Sequence, residues 1–330
     1  MKRAVVLFNL GGPDGPQAVE PFLRNLFGDP AVISLPLLLR KPLAAWIARR
    51  RAPIAAEIYA RIGGRSPILE ETQAQAAALE AALGGETRVF VAMRCWKPFS
   101  DETAAAVAAW SPDEITLLPL YPQFSTTTTR SALDDWHRAA KRAGIRAVST
   151  RICCYPDLAG FIEAQAALCR ETAAKAREGI AYRWLLSAHG LPKRIVARGD
   201  PYQWQVESTA AALVERLGIS DWIVCYQSRV GPLEWIGPAT DAEIHRAGAE
   251  GKGTIVVPIA FVSEHSETLV ELDMLYRDLA RECGVPDYLR VPTVGVRQEF
   301  IAGLAGLVLQ SSSQARLCPP GFSCCGCNLR

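Results

Sequence analysis

The sequence predicts an α/β fold made of two similar halves, each a parallel sheet flanked by helices. Short β-rich apolar runs alternate with longer Ala-, Leu- and charge-rich stretches of helical period, the pattern of parallel strands joined by helices. The chain also echoes itself. Leu117-Leu118-Pro119-Leu120, followed by Phe124, Ser125 and a Thr-rich helix start, resembles Val256-Val257-Pro258-Ile259, followed by Phe261 and Ser263 before another helix, and 5–11 resembles 185–190. Finally, 330 residues suit two domains of roughly 100–200 residues each.

Along the chain, a first strand is expected at 4–9, from the run Ala4-Val-Val-Leu-Phe, and ends at the turn Gly11-Gly12-Pro13. A helix at 68–83 leads to a strand at 88–94, a helix at 101–110 to a strand at 115–120, and a strand at 146–150 completes the half. The second half runs through a helix at 158–177, a strand at 182–188, a helix at 204–217, and strands at 222–226, 254–260 and 288–291. This divides the chain into halves at 1–150 and 151–295, a helix within 296–317, and a Cys-rich tail at 318–330. The rival reading is two unrelated lobes whose strand endings coincide. In open α/β sheets the ligand sits outside the carboxyl ends of the strands, so residues just after each strand are examined first.

Composition removes several function classes. With 49% hydrophobic and 21% charged residues, extended disorder is not expected. Thirty-six basic against 34 acidic side chains give a formal charge of +2, which excludes the basic surface of a bulk nucleic-acid binder. Met1-Lys-Arg and the run that follows imitate a signal peptide, but Asn9 and Gly11 arrive too soon for an h-region. No charge-free apolar stretch of about 18 residues is present, so no spanning helix is expected and the cytoplasm is the expected location. Disulfides are rare there, and clustered cysteines more often bind metal or do redox work.

Four segments can carry chemistry. Asn9-Leu-Gly-Gly-Pro-Asp-Gly-Pro follows the first strand and is either an anion cradle or a plain tight turn; it lacks the dinucleotide and P-loop registers. His189 ends the strand Trp184-Leu-Leu-Ser-Ala-His and precedes Gly190, where the chain should turn. It is placed to face a ligand, against the alternative of a structurally hydrogen-bonded histidine. Glu264, Glu267 and Glu271 are spaced by three and four, which aligns three carboxylates on one α-helical face after the strand at 254–260. Such a stripe is either solvated or holds protons and cations. Leu35 to Arg51 carries apolar residues and Trp46 flanked by Arg40, Lys41, Arg49, Arg50 and Arg51. It fits a helix on an anionic membrane surface, the lip of an apolar pocket, or an ordinary packing helix.

With these segments assembled, the chain resembles the ferrochelatases over nearly its whole length. The markers are Asn9-Leu-Gly-Gly-Pro, Arg61-Ile-Gly-Gly-Arg-Ser-Pro-Ile, Leu118-Pro-Leu-Tyr-Pro-Gln-Phe-Ser, Ser187-Ala-His-Gly-Leu-Pro, Tyr226-Gln-Ser-Arg-Val-Gly-Pro-Leu-Glu-Trp-Ile-Gly-Pro and Phe261-Val-Ser-Glu-His-Ser-Glu-Thr-Leu-Val-Glu-Leu-Asp. The resemblance implies two Rossmann-like, chelatase-type halves with a porphyrin cleft between them and a C-terminal helix packed on the first half. It implies insertion of Fe²⁺ into protoporphyrin IX to give protohaem, the last step of haem biosynthesis, by a lyase. His189 and Glu267 are then the facing pair that engage iron and the pyrrole protons, and Glu271, with Glu264, continues a polar relay. Arg50, Arg51, Tyr59 and Ser66 match positions that contact propionates or close over the macrocycle, and Trp235 matches an aromatic residue beside the ring. The expected partners are porphyrin, ferrous iron and an anionic membrane surface, with the enzyme peripheral on the inner face of the membrane. A homodimer is left open.

The chemistry explains these residue types. A free-base porphyrin loses two N–H protons as Fe²⁺ enters, so the site must accept protons and hold a partly desolvated cation. Imidazole and carboxylate suit Fe²⁺ and hold it loosely enough to surrender it to four pyrrole nitrogens. Cys95 and Trp96 stand where many relatives have a Tyr near the ring, and Leu275 stands at a further acidic position of the family helix.

Ten cysteines include four in the last thirteen residues: Cys318, Cys324, Cys325 and Cys327. Some ferrochelatases carry a [2Fe–2S] cluster on such an extension, and it needs four thiolates. The animal type draws one ligand from the position of Thr126 here. Either all four tail cysteines bind, or Cys318, Cys324 or Cys325, and Cys327 join Cys153 or Cys154. Structural zinc and a redox-active tail are the alternatives, and Cys169, Cys225 and Cys283 read as buried thiols.

Two other functions compete with ferrochelatase. One is a same-fold chelatase acting on coproporphyrin or another tetrapyrrole, and the other a non-catalytic haem- or iron-binding protein. The apolar, Trp-bearing lip favours a less carboxylated porphyrin, and the His189 and Glu267 pair favours turnover.

Overall fold

A computed structural model describes residues 1–229, 231, 233–310 and 317–326. The chain forms two compact units, one of residues 1–154 with 304–310 and the other of 155–303 with 317–326. Both carry a four-stranded parallel sheet with the same strand order.

In the first unit β1 (Arg3–Asn9) lies between β2 (Thr87–Met93) and β3 (Glu114–Pro119), and β4 (Val148–Arg151) pairs with β3. β1 is buried almost throughout because helices cover both faces, which is why its sequence is a continuous apolar run. The helices are α1 (Val19–Gly28), α2 (Leu37–Ala60), α3 (Ile68–Leu83), α4 (Ser100–Trp110) and α5 (Ser131–Arg142). Phe8 and Trp136 meet edge to face in the core, with ring centroids 5.8 Å apart. A π-helical segment, Thr126–Arg130, precedes α5.

The second unit repeats this order. β5 (Tyr182–His189) lies between β6 (Trp222–Gln227) and β7 (Gly253–Pro258), and β8 (Tyr288–Arg290) pairs with β7. Its helices are α6 (Ala159–Ala173), α7 (Lys193–Val196), α8 (Tyr202–Leu217), α9 (Thr240–Ala249) and α10 (Tyr276–Glu282), and α11 (Gln298–Leu309) follows β8. A second π-helical segment, Glu267–Leu275, runs into α10. It sits after β7 as Thr126–Arg130 sits after β3, so the sequence echo has a structural counterpart. Leu185, Cys225, Val256, Leu272 and Tyr288 form the core beneath it. At the amino ends of the strands, Arg183 bonds Asp221 at 2.8 Å and both oxygens of Glu250 at 3.0 and 2.8 Å, and Lys252 joins both carboxylates. The reactive residues gather at the other end.

Candidate active site

β5 delivers His189 as its last residue, and the chain turns at once. The turn requires glycine: a Cβ at Gly190 would lie 2.9 Å from the Gln227 carbonyl oxygen and 3.1 Å from Trp235 Cε3. Trp235 is thereby packed on the residue next to His189, with its buried Nε1 making no hydrogen bond among the described residues. The Tyr202 hydroxyl donates to the His189 carbonyl at 3.1 Å and fixes the strand end.

His189 Nδ1 lies 3.2 Å from Glu267 Oε2. His265 Nε2 lies 3.2 Å from the same oxygen, while its Nδ1 faces the Ser263 carbonyl at 3.1 Å. A carboxylate only accepts, so Glu267 selects the tautomer with a proton on His189 Nδ1 and leaves the lone pair on Nε2. The pair is partly open, with side-chain exposures of 40% for His189 and 30% for Glu267. Burial of the imidazole opposes its charging, but the Glu267 carboxylate outweighs it and raises the His189 pKa above the ordinary histidine value. Burial likewise opposes ionisation of Glu267, yet His189 and His265 hold its carboxyl well below the usual carboxylate range.

Glu271 is saturated differently. Ser228 N–H donates to Oε1 at 2.8 Å and Tyr276 hydroxyl at 3.2 Å, while Gln227 Nε2 at 3.1 Å and the Ser228 hydroxyl donate to Oε2. Gln227 also donates to the Glu267 carbonyl at 3.0 Å, so the end of β6 ties both acidic residues in place.

The three-carboxylate stripe is not formed. Helical geometry begins at Glu267 and is π, with an extra residue per turn, which brings Glu267 and Glu271 to one face and leaves Glu264 in the preceding turn. There Glu264 takes a 2.6 Å ion pair from Arg290 and a 3.0 Å hydrogen bond from the Thr293 N–H. Arg290 also pairs with Asp273. Glu264 therefore belongs to an arginine-centred network rather than to a relay with Glu267. Leu275, 40% exposed, closes the π segment.

In the first unit the glycine loop is a packed turn. A Cβ at Gly12 would lie 2.5 Å from Ser66 Cβ, and the Ser66 N–H donates to the Pro13 carbonyl at 2.8 Å, so Ser66 is buried against this loop. Tyr59 packs with Val19, Phe22, Leu23, Ala48 and Cys95. Arg51 stacks over Phe27 at 5.7 Å, and the exposed Arg50 over Trp46 at 5.0 Å. Arg40 is committed to the Gly28 and Leu35 carbonyls. The face around it leaves Leu38 87% and Trp46 57% exposed. Among the described residues no helix is long and apolar enough to cross a membrane. Cys95 is buried, its N–H bonded to the Leu10 carbonyl, and Trp96 meets Phe99 edge on.

The tail lies along α8. Gln205 Nε2 donates to Cys318 Sγ at 3.0 Å, and Trp204 contacts Phe322 with ring centroids 5.8 Å apart. Cys318 and Cys325 are buried, whereas the Cys324 thiol turns to the Arg198 carbonyl at 3.3 Å. Cys327 lies outside the described residues. Among the described residues no three His, Cys, Asp or Glu side chains form a metal group. Cys153 and Cys154 are buried after β4. Burial pushes the thiols of Cys169 and Cys225 up to about 12, as expected of core cysteines. Cys283 departs from that expectation: it is half-exposed, and its sulfur lies 3.0 Å from His245 Nδ1.

His265, Gln227, Ser228 and Tyr276 are the site residues that sequence reasoning missed. All but Tyr276 lie within the quoted motifs at strand ends, which was the available signal.

Comparison with known proteins agrees with the fold. A ferrochelatase family model matches residues 2–312. A protein named ferrochelatase from Phenylobacterium zucineum is 56% identical, covering 99% of this chain and 98% of the relative. One from Caulobacter vibrioides is 55% identical, covering 100% of this chain and 94% of the relative. Among solved structures, the sirohydrochlorin chelatase SirB from Bacillus subtilis in complex with cobalt superposes with a TM-score of 0.56 at 13% identity, covering 94% of this chain and 95% of that one, a likeness of fold. With a two-sheet chelatase fold, a His–Glu pair at the strand ends and family agreement over nearly its whole length, this chain belongs to the ferrochelatases, which are porphyrin metal chelatases.

Proposed function

We propose that this enzyme inserts Fe²⁺ into protoporphyrin IX with His189 Nε2 as the base that removes the pyrrole protons. The observation that carries the assignment is the sharing of Glu267 Oε2 by His189 Nδ1 and His265 Nε2. It fixes the tautomer that leaves Nε2 as an acceptor and places a negative charge where the imidazolium forms. Glu267 is held too acidic to store a proton itself. Its role is to stabilise positive charge, first on His189 and then on the entering metal, through Oε1, which no described residue hydrogen-bonds. Both protons then leave through the same imidazole in turn. Glu271, with four donors on its oxygens, positions the β6 end rather than passing a metal on. Trp235 flanks the site beside Gly190, and the exposed Arg50, stacked over Trp46, is the residue assigned to a propionate contact.

Two further parts belong to this reading. The exposed Leu37, Leu38, Leu39 and Trp46 with Lys41, Arg49 and Arg50 form an amphipathic surface suited to an anionic membrane, which would make the enzyme peripheral on the inner face. The tail is the seat of a [2Fe–2S] cluster. Thiols are the donors such a cluster takes, and Cys318 and Cys325 are the buried thiols of the described part of the tail.

An anaerobic assay offering Fe²⁺ with protoporphyrin or coproporphyrin tests the function. Higher catalytic efficiency with protoporphyrin is expected; preference for coproporphyrin overturns the substrate, and binding without turnover overturns the enzyme. A visible spectrum and a reduced-state EPR signal of protein purified anaerobically test the cluster.

A further inference from the structure

We propose that Cys283 and His245 form a thiol–imidazole pair that makes Cys283 a modification site for small disulfides. The two side chains come from different helices of the second unit and stand apart from the His189 and Glu267 pair. Cys283 caps the C-terminus of α10, and its Sγ lies 3.0 Å from Nδ1 of the exposed His245 on α9, with Nε2 farther away at 3.9 Å. The contact is held from both sides. Ile244 and Ala247, on either side of His245, are buried in the core of this unit. The Cys283 N–H bonds the Leu279 carbonyl at 2.9 Å, and its own carbonyl sits so close to α9 that a Cβ at Gly248 would lie 2.2 Å from it.

Access and proton chemistry single out this sulfur. Among the described residues Cys283 and Cys324 are the half-exposed thiols, and the other cysteines are buried. The Cys324 thiol donates to the Arg198 carbonyl, an oxygen that does not take the proton away. Cys283 instead faces a ring nitrogen, which does. The nearest cations on both helices are already paired, Arg246 with Glu243 at 2.6 Å and Arg281 with Asp278 at 2.7 Å, so they leave the thiol proton to His245. On attack that proton passes to His245 Nδ1 and the Cys283 sulfur bonds one sulfur of the disulfide. The S–S bond breaks, and the departing thiolate takes the proton back from the imidazolium. The products are a mixed disulfide on Cys283 and one free small thiol, with the disulfide itself as the oxidant.

The test uses the reduced full-length enzyme with a limiting amount of dithiodipyridine, a neutral disulfide whose released thiopyridone absorbs strongly, followed by peptide mass mapping. In wild type the first adduct is expected on Cys283, and Cys283→Ser should remove the fastest phase of release. His245→Gln keeps a polar side chain but takes no proton, and it should slow the Cys283 reaction about tenfold. His245→Ala should slow it as well, although the smaller side chain opens access to the sulfur; a histidine that merely shields Cys283 would make this variant faster. Both changes fall at an exposed position, and the number of thiols that react without denaturant shows that the fold is kept. A first adduct on any other cysteine overturns the site. A Cys283 reaction as fast in His245→Gln, or faster in His245→Ala, than in wild type overturns the role of His245 and with it the pair.

Discussion

Replacing Glu267 by glutamine removes the charge on which the site is organised while keeping its shape. Glu267 Oε2 lies 3.2 Å from both His189 Nδ1 and His265 Nε2. A hydrogen bond to a charged partner contributes about 1.5–3 kcal/mol, and the partial exposure of the pair favours the lower half of that range. If this stabilises the imidazolium that forms during proton transfer, its loss lowers kcat/KM by about one to two orders of magnitude. The pH profile carries a second signature. With Glu267 present the His189 pKa is raised, so the neutral base accumulates only as pH climbs through that raised value. In Glu267→Gln the larger raising influence is gone, leaving the weaker pull of the Glu271 carboxylate against burial, which favours the neutral ring. The acid limb of kcat/KM therefore moves to lower pH even as the plateau falls. The assay is anaerobic iron insertion followed by porphyrin fluorescence across pH, with folding checked by circular dichroism. A limb that stays in place or moves to higher pH refutes the assignment of Glu267 as the charge that tunes His189.

Other expectations follow from the same structure. Asp29 is 3% exposed and pairs with Arg94 at 2.9 Å, so Asp29→Ala should cost about 3–5 kcal/mol in urea unfolding by leaving Arg94 without its counter-charge, with only the Ser131 hydroxyl on its Nε among the described residues. Leu37, Leu38 and Leu39 are more than half exposed, and changing all three to Ser should leave thermal stability within a few degrees while weakening binding to anionic vesicles at least tenfold in a sedimentation assay. The Glu250 carboxyl is lowered to about 2 and Asp221 is also lowered, chiefly by Arg183 and Lys252 working against burial. Their contribution is present above the unfolded carboxylate pKa and is lost as pH falls through the depressed values; in Arg183→Met this acid-side loss of stability, read as urea midpoint against pH, should flatten.

Much of the fold is legible in the sequence because its strands are central and parallel. Covered on both faces, they become short apolar runs, and each of the eight expected strands coincides with an observed one to within a few residues. The strand-end rule likewise points directly at His189. What escapes is geometry set by distant partners. Helical periodicity assumes about 3.6 residues per turn, so it aligns Glu264 with Glu267 and Glu271; the π-helical turn and an arginine 26 residues onward separate them. Arg50 and Arg51 read as free cations until Trp46 and Phe27 are seen beneath them. His265 stands in the quoted motif but acquires its role only through the fold, which aims it at the oxygen His189 already uses.

The central claim is that His189 Nε2 removes the pyrrole protons, and chemical rescue tests it most directly. Anaerobic iron insertion by His189→Ala at saturating Fe²⁺ should fall by about 10²–10⁴-fold, the usual worth of a positioned base, and should recover in part on addition of imidazole with a dependence on its neutral form. Insertion at close to the wild-type rate without added imidazole would contradict the claim.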